Sequence, residues 1–222
     1  MKKIIWFISK YSQIPQNGDI GSRDFMILKE LVKMGCHCFY ITSSGNHLSG
    51  FDNQKKIYEV QNVSGIRVCR IRTNKYRGAK SIGRVISWIV FELRLYLLPN
   101  KYRYPKPDVI VVSSLSLLTI LNGLVLKTKY KCRLIFEIRD IWPLTLIEEG
   151  GYSNKNLFIL LLGWIEKSGY KKADAIVGTM PNLGEHVKNI LGYEKKTFCI
   201  PMGVDVSQIS PSHSISSEYK EK

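Results

Sequence analysis

Short, continuous apolar runs recur along the chain. Between them lie segments whose apolar positions return every three to four residues. Ile4-Ile5-Trp6-Phe7-Ile8 is the first run, and its lack of alternation predicts a strand buried on both faces. A polar loop with Pro15, Gly18 and Gly21 follows, and Ser22 stands where a helix cap is expected. The helix beyond it sets Phe25, Leu28, Leu31 and Val32 against Lys29, Glu30 and Lys33. Gly35 ends that helix before a strand over 36–42. Alternating segments over 57–60 and 66–71, with a turn between Asn62 and Gly65, predict a hairpin at a sheet edge. A helix over 81–98 carries Trp88, Phe91, Leu95 and Leu98. Further strands are expected over 109–112, 132–137, 175–177 and 198–200, with helices over 116–126, 156–172 and 179–191. On the helix over 156–172, Leu157, Leu161, Trp164 and Ile165 form the expected core stripe. This rhythm predicts an α/β chain: a Rossmann-like, doubly wound, mostly parallel sheet.

One strand ends abruptly in polar chemistry. Leu134-Ile135-Phe136 gives way to Glu137, Arg139 and Asp140, and then Trp142-Pro143. Charges beside a core cost on the order of several kcal/mol unless they are paired or used. In open parallel sheets, ligands bind outside the carboxyl ends of strands. Asp140 or Glu137 could therefore orient or deprotonate a hydroxyl, and Arg139 could hold a phosphate or an acid. Trp142 could stack on a sugar ring, or be buried in the core. The competing structural reading has Arg139 and Asp140 pairing to cap the turn.

Two further stretches carry candidate binding groups. In Asn17-Gly18-Asp19-Ile20-Gly21-Ser22-Arg23 the glycines let backbone N–H groups approach an anion at a helix start, where Arg23 could grip a phosphate. The pattern is not GxGxxG, and Thr42-Ser43 rather than an acid closes the second strand, which counts against an NAD site. Ser113-Ser114 could cap a helix or line the same cleft as Asp140. The absence of GxSxG argues against a hydrolase nucleophile.

Charge narrows the partners. The chain of 222 residues has a formal net charge of +15, which favours an anionic partner: a phosphorylated substrate, an anionic membrane surface or nucleic acid. Lys75-Tyr76-Arg77, Lys80, Arg84, Lys101-Tyr102-Arg103-Tyr104 and Lys106 bracket the apolar helix over 81–98. That combination points to a membrane surface, and no nucleic-acid module signature accompanies it. The five cysteines include no CxxC pair and read as buried, reduced thiols of a cytosolic protein, with no metal site expected. His186 and His213 stand outside any cluster, so a His-based triad is not supported. No segment reads as a membrane span: the opening apolar run is short and interrupted by Lys10.

Phe136-Glu137-Ile138-Arg139-Asp140-Ile141-Trp142-Pro143, followed by Leu146-Ile147-Glu148-Glu149-Gly150-Gly151, resembles the amino-terminal domain of family 4 glycosyltransferases of the WbuB-like type. Gly18 to Arg23, Pro107-Asp108-Val109-Ile110, Gly169 to Asp174 and Ile200-Pro201-Met202-Gly203-Val204-Asp205 match as well. The chain departs from that pattern at Ser22, at Met202 and at Lys155-Asn156-Leu157-Phe158.

The resemblance implies a GT-B enzyme that retains anomeric configuration and needs no metal or cofactor, with a nucleotide-sugar donor as substrate. This chain would be its acceptor-binding half, with the domain over 1–205 and a truncated linker over 206–222. By position, Gly18 and Gly21 would approach donor phosphate, and Glu137, Arg139 and Asp140 would face the reacting sugar. The implied acceptor is a lipid-linked glycan of O-antigen or capsule assembly, on the inner face of the cytoplasmic membrane. Alone, the chain is expected to lack most donor affinity and to need a separate donor-domain polypeptide. The competing reading is a non-catalytic, membrane-surface or partner-binding remnant.

Overall fold

The computed structural model describes residues 2–15, 21–45, 54–76, 81–102 and 105–203. Gly18, Arg77, Lys80, Arg103, Tyr104 and the expected linker over 206–222 lie outside them. The elements run β1 (Ile4–Ile8), α1 (Arg23–Lys33), β2 (His37–Ser43), β3 (Tyr58–Val63), β4 (Ile66–Ile71), α2 (Ile82–Tyr96), β5 (Val109–Ser113), α3 (Thr119–Tyr130), β6 (Arg133–Ile138), α4 (Leu144–Glu148), α5 (Leu157–Lys172), β7 (Ala175–Gly178), α6 (Leu183–Leu191) and β8 (Thr197–Cys199). The strands form one sheet in the order β3-β4-β2-β1-β5-β6-β7-β8. Every pairing is parallel except that of β3, which lies antiparallel on β4. The expected α/β, doubly wound sheet with its edge hairpin is what the chain forms.

Parallel neighbours cannot be joined by a tight turn, so helical crossovers bury both sheet faces. Trp6, Ile8, Phe39, Ile41, Ile110, Val112, Leu134, Phe136 and Ile176 pack on the side of α2, α3, α5 and α6. Ile5, Phe7, Cys38, Tyr40, Ile66 and Val68 meet Phe25 and Leu28 of α1 on the other. Alternate residues of β1 are therefore buried on opposite faces, which is why its apolar run is unbroken.

Several local expectations are corrected. Ser22 stands at the N-cap of α1 but makes no side-chain cap bond; its Oγ lies 3.0 Å from Ser12 Oγ instead. The returning loop supplies the competing partner. Helix α3 starts at Thr119 rather than 116, because Ser116 and Thr119 turn their hydroxyls to the Glu92 carboxylate. The short helix α4 was not anticipated. Cys199 is exposed, whereas Cys38 and Cys69 are buried as expected.

The largest correction concerns α5. Leu157, Leu161 and Trp164 are 83%, 51% and 62% exposed, and Ile165 alone of the expected stripe is buried. The inward positions are Ile159, Leu162, Ile165, Glu166, Gly169 and Tyr170. The helix is apolar nearly all round, so periodicity does not select a face. Close approach does: a Cβ on Gly169 would lie 2.8 Å from Phe136 Cε1 and 2.9 Å from Ile120 Cγ1. Tyr170 also donates to Glu166 Oε1 at 2.9 Å, and His186 Nε2 reaches the same oxygen at 3.1 Å.

Gly169→Ala sets two effects against each other. Helix propensity favours alanine by about 1 kcal/mol. Overpacking against Phe136 and Ile120 costs about 1–3 kcal/mol, and the larger effect should win. Urea unfolding is expected to show a net loss of about 1–2 kcal/mol; a gain would mean that α5 presents another face to the sheet.

Candidate active site

The chain leaves β1 toward β2 and β4, then returns to β5 and builds the other half of the sheet. The carboxyl ends of β1 and β5 therefore flank the point where strand order reverses, the usual place for a ligand crevice. Ser9-Lys10-Tyr11 leave β1 there, Ser114 follows β5, Arg139-Asp140 follow β6, and Arg23 opens α1.

Ser114 ties these ends together. Its Oγ accepts from the amides of Arg139 at 2.9 Å and Asp140 at 3.4 Å, while its hydroxyl donates to the Asp140 carbonyl at 3.2 Å. Its own amide donates to the Glu137 carbonyl at 2.8 Å. Ser114 thus acts as a cap, but of the loop after β6 rather than of a helix. Beyond this knot the two candidate carboxylates part.

Glu137 turns toward α1. It stands in register with Ser113, and its Oε1 lies 3.7 Å from Arg23 Nη1. Both side chains of the ion pair are nearly closed to solvent, at 4% and 8% exposure. Burial raises the Glu137 carboxyl above its ordinary range; Arg139 and Arg23 oppose the shift, and Asp24 adds to it. Ser113 Oγ, Glu137 Oε2 and Arg23 Nε are buried with no hydrogen-bond partner among the described residues, although Ser113 lies close enough to Glu137 to hold its proton affinity down. They are the atoms a polar ligand group would satisfy. Arg23 is not waiting for a phosphate alone: its Nη2 donates to the Ile200 carbonyl at 2.7 Å. Gly21 precedes it with φ +43°, and a Cβ there would lie 2.9 Å from Pro15 Cδ, so conformation and space both demand glycine.

Asp140, by contrast, is exposed to solvent. Burial raises its carboxyl, Arg139 opposes, Glu149 adds and Arg84 opposes. Arg84 lies on α2, where its Nε donates to Tyr11 Oη at 3.3 Å beside the 2.6 Å bond from Trp88 Nε1. Trp142 is 8% exposed and packs edge-on against Trp88 at 6.0 Å, so its ring belongs to the core rather than to an open sugar platform. Its Nε1 has no hydrogen-bond partner among the described residues. The expected cluster of Glu137, Arg139 and Asp140 is therefore a buried carboxylate paired with Arg23 and an exposed one at the rim, and the charge of Arg139 reaches both.

Sequence reasoning missed the pair behind this rim. Lys10 is fully buried; its Nζ donates to Ser87 Oγ at 3.0 Å and lies 4.4 Å from the centre of the Tyr11 ring. Burial lowers its pKa to about 7, with Glu92 opposing and Arg84 adding. Glu92 of α2 accepts from Thr119 at 2.6 Å and Asn122 at 2.7 Å, and burial raises its pKa to about 7. The available signals were a lysine straight after an apolar strand and a lone acid in an apolar helix. Among the described residues, no group of three or more His, Cys, Asp and Glu could hold a metal ion.

The arrangement offers a carboxylate of raised proton affinity at an open rim, two arginines within its field, and a desolvated wall. It suits holding a hydroxyl beside an anionic group. The family model of Glycosyltransferase Family 4 matches residues 25–208. The chain belongs to that family. The match begins just past Arg23, so Gly21 to Arg23 stand outside it. Sucrose-phosphate synthase from Thermosynechococcus elongatus is similar in fold, with a TM-score of 0.61 at 15% identity over 93% of this chain and 49% of its own. A second structure of that protein gives a TM-score of 0.55 at 15% identity over 91% of each chain. The chain thus spans about half the length of the first of these structures, 49%. No curated protein matches it.

Two outcomes are expected. Ser114→Ala leaves two amides without their acceptor and should cost about 1–3 kcal/mol in chemical denaturation. Glu92 binds its proton more tightly folded, at about 7, than its ordinary 4.5, so its contribution to stability falls as pH rises between those values. Lys10 does the reverse, contributing a rise from pH 7 toward 10.5. In melting curves the advantage of Glu92→Gln over the parent should grow from pH 4.5 to 7; a flat difference would place the Glu92 carboxylate in water.

Proposed function

We propose that this chain is the acceptor-side half of a retaining glycosyltransferase. It holds the hydroxyl that receives a sugar from a nucleotide-sugar donor bound by a second Rossmann-like unit, on the same or a separate polypeptide. The acceptor in this reading is a lipid-linked glycan of surface polysaccharide assembly, O-antigen or capsule, used at the cytoplasmic face of the membrane.

The observation that carries it is Asp140. Its backbone is clamped by Ser114, its carboxylate stands at the open end of the sheet, and Arg84 and Arg139 lie within its field. That placement suits an acceptor hydroxyl next to a phosphate-bearing carrier. Family membership supplies the reaction class. On the α1 side, Glu137, Ser113 and the loop at Gly21 are the groups left for the donor, with Arg23 positioning Glu137 and the segment at Ile200. Trp142 backs the Asp140 loop from the core.

The test pairs this chain with a donor-binding unit and follows transfer from a nucleotide-sugar to a lipid-linked acceptor. Asp140→Asn should lower turnover by about 10²–10⁴-fold with an unchanged melting temperature. Unchanged turnover would reduce Asp140 to part of the loop cap. Calorimetric titration of the chain alone with the nucleotide-sugar should give little or no heat; micromolar binding would contradict assignment to the acceptor side.

A further inference from the structure

The crevice uses only one end of the sheet. The outer surface of α2, α3 and α5 is a separate feature. On α2, Ile82, Ile86, Ile89, Leu93 and Leu97, which follows the last turn, recur at helical spacing and are all exposed. On α5, Leu157, Leu160, Leu161 and Trp164 do the same. Leu121 and Val125 are the exposed apolar positions of α3, which packs against both α2 and α5. The three stripes therefore adjoin. Single exposed apolar residues are ordinary, but a contiguous apolar surface of this kind marks a contact face.

Charge decides what that face contacts. The three helices contain two acids, Glu92 and Glu166, and both are turned inward and hydrogen-bonded. Lys129, Lys167, Lys171 and Lys172 are exposed toward the far ends of α3 and α5. The face has an apolar centre and a lysine margin, and no acid of the three helices is exposed; Asp174, just past α5, is paired with Lys127. A second copy of the chain would cover the apolar centre but bring no counter-charge to the lysine margin. Anionic headgroups over an apolar interior complement both parts at once. No described helix is long and apolar enough to cross a membrane.

We infer that the outer face of α2, α3 and α5 docks on an anionic lipid bilayer, with Trp164 seated at the interface. The inference rests on the reading of a lipid-linked acceptor and supplies its geometry. Helix α2 begins at the crevice, where Arg84 and Trp88 reach Tyr11, so docking brings headgroups to the side of the rim that carries Asp140. This assigns membrane contact to three helix faces rather than to the basic loops alone.

Trp164 is 62% exposed while Trp6, Trp88 and Trp142 are buried, so its fluorescence reports on the face. With vesicles of equal parts phosphatidylcholine and phosphatidylglycerol, the chain should cosediment, more weakly as sodium chloride rises. Its emission should shift to the blue and be quenched by brominated lipid. Trp164→Phe should abolish the shift yet still cosediment. The double variant Leu93→Ser, Leu161→Ser, with its fold checked by circular dichroism, should bind about tenfold more weakly or worse. Equal binding to pure phosphatidylcholine, no quenching, or a dimer in sedimentation equilibrium that buries Trp164 without vesicles would each overturn the inference. None of these readouts uses sugar transfer. Failed docking therefore leaves the assignment of Asp140 standing, and failed transfer leaves the docking face standing.

Discussion

The hydroxyl of Ser114 is the contact on which the crevice depends. Two consecutive amides past the end of β6 have left the sheet and need an acceptor, and one oxygen serves both. Because that oxygen belongs to the end of β5, the two strand ends are fixed relative to each other. Strand alternation sends Glu137 toward Arg23 of α1, while Asp140, on the clamped turn, stays exposed. The charge of Arg139 acts on both. A short run of ionisable residues thus serves two regions: a closed one with orphaned polar atoms and an open one with solvent access.

The walls around this division are desolvated, which strengthens every charge inside them. Lys10 and Glu92 show the consequence most plainly, since burial pushes their proton affinities toward each other from opposite directions. Such a pair is weak evidence for stability, because well-packed apolar residues commonly do as well. Its position is more informative. Arg84 lies in the field of Lys10 and of Asp140, so the buried pair and the open carboxylate share one electrostatic neighbour. Clusters of shifted groups at the end of a sheet are where proton-handling chemistry is usually found.

The strands were legible because a residue buried on either face of a parallel sheet must be apolar. Ile4 to Ile8 could hardly be anything else. Glu137 and Asp140 were legible as a site because ionisable groups following such a strand need a reason. Their separation was not, since it depends on a hydroxyl from β5. Lys10 read as the interruption of an apolar run and proved to be its most buried charge. Its partners Ser87 and Glu92 lie far away in sequence, and no spacing links them. The face of α5 was misread for another reason. Leucines surround that helix, and the choice was made by Gly169, whose missing side chain lets the backbone approach Phe136 and Ile120.

Helix α2 joins both halves of the argument. Its inner side gives Ser87 to Lys10, Trp88 to Tyr11 and Glu92 to α3, and so builds the crevice wall. Its outer side repeats isoleucine and leucine where a helix facing water would carry polar residues. Folding alone accounts for the inner side only. An outer apolar stripe gains nothing in water, and on three adjoining helices it favours self-association unless something covers it. The inward turn of both acids removes the one charge type that an anionic surface would repel. Arg84 and Trp88 of the same helix reach Tyr11 at the crevice, so the inward contacts and the outward apolar stripe are carried by one continuous element.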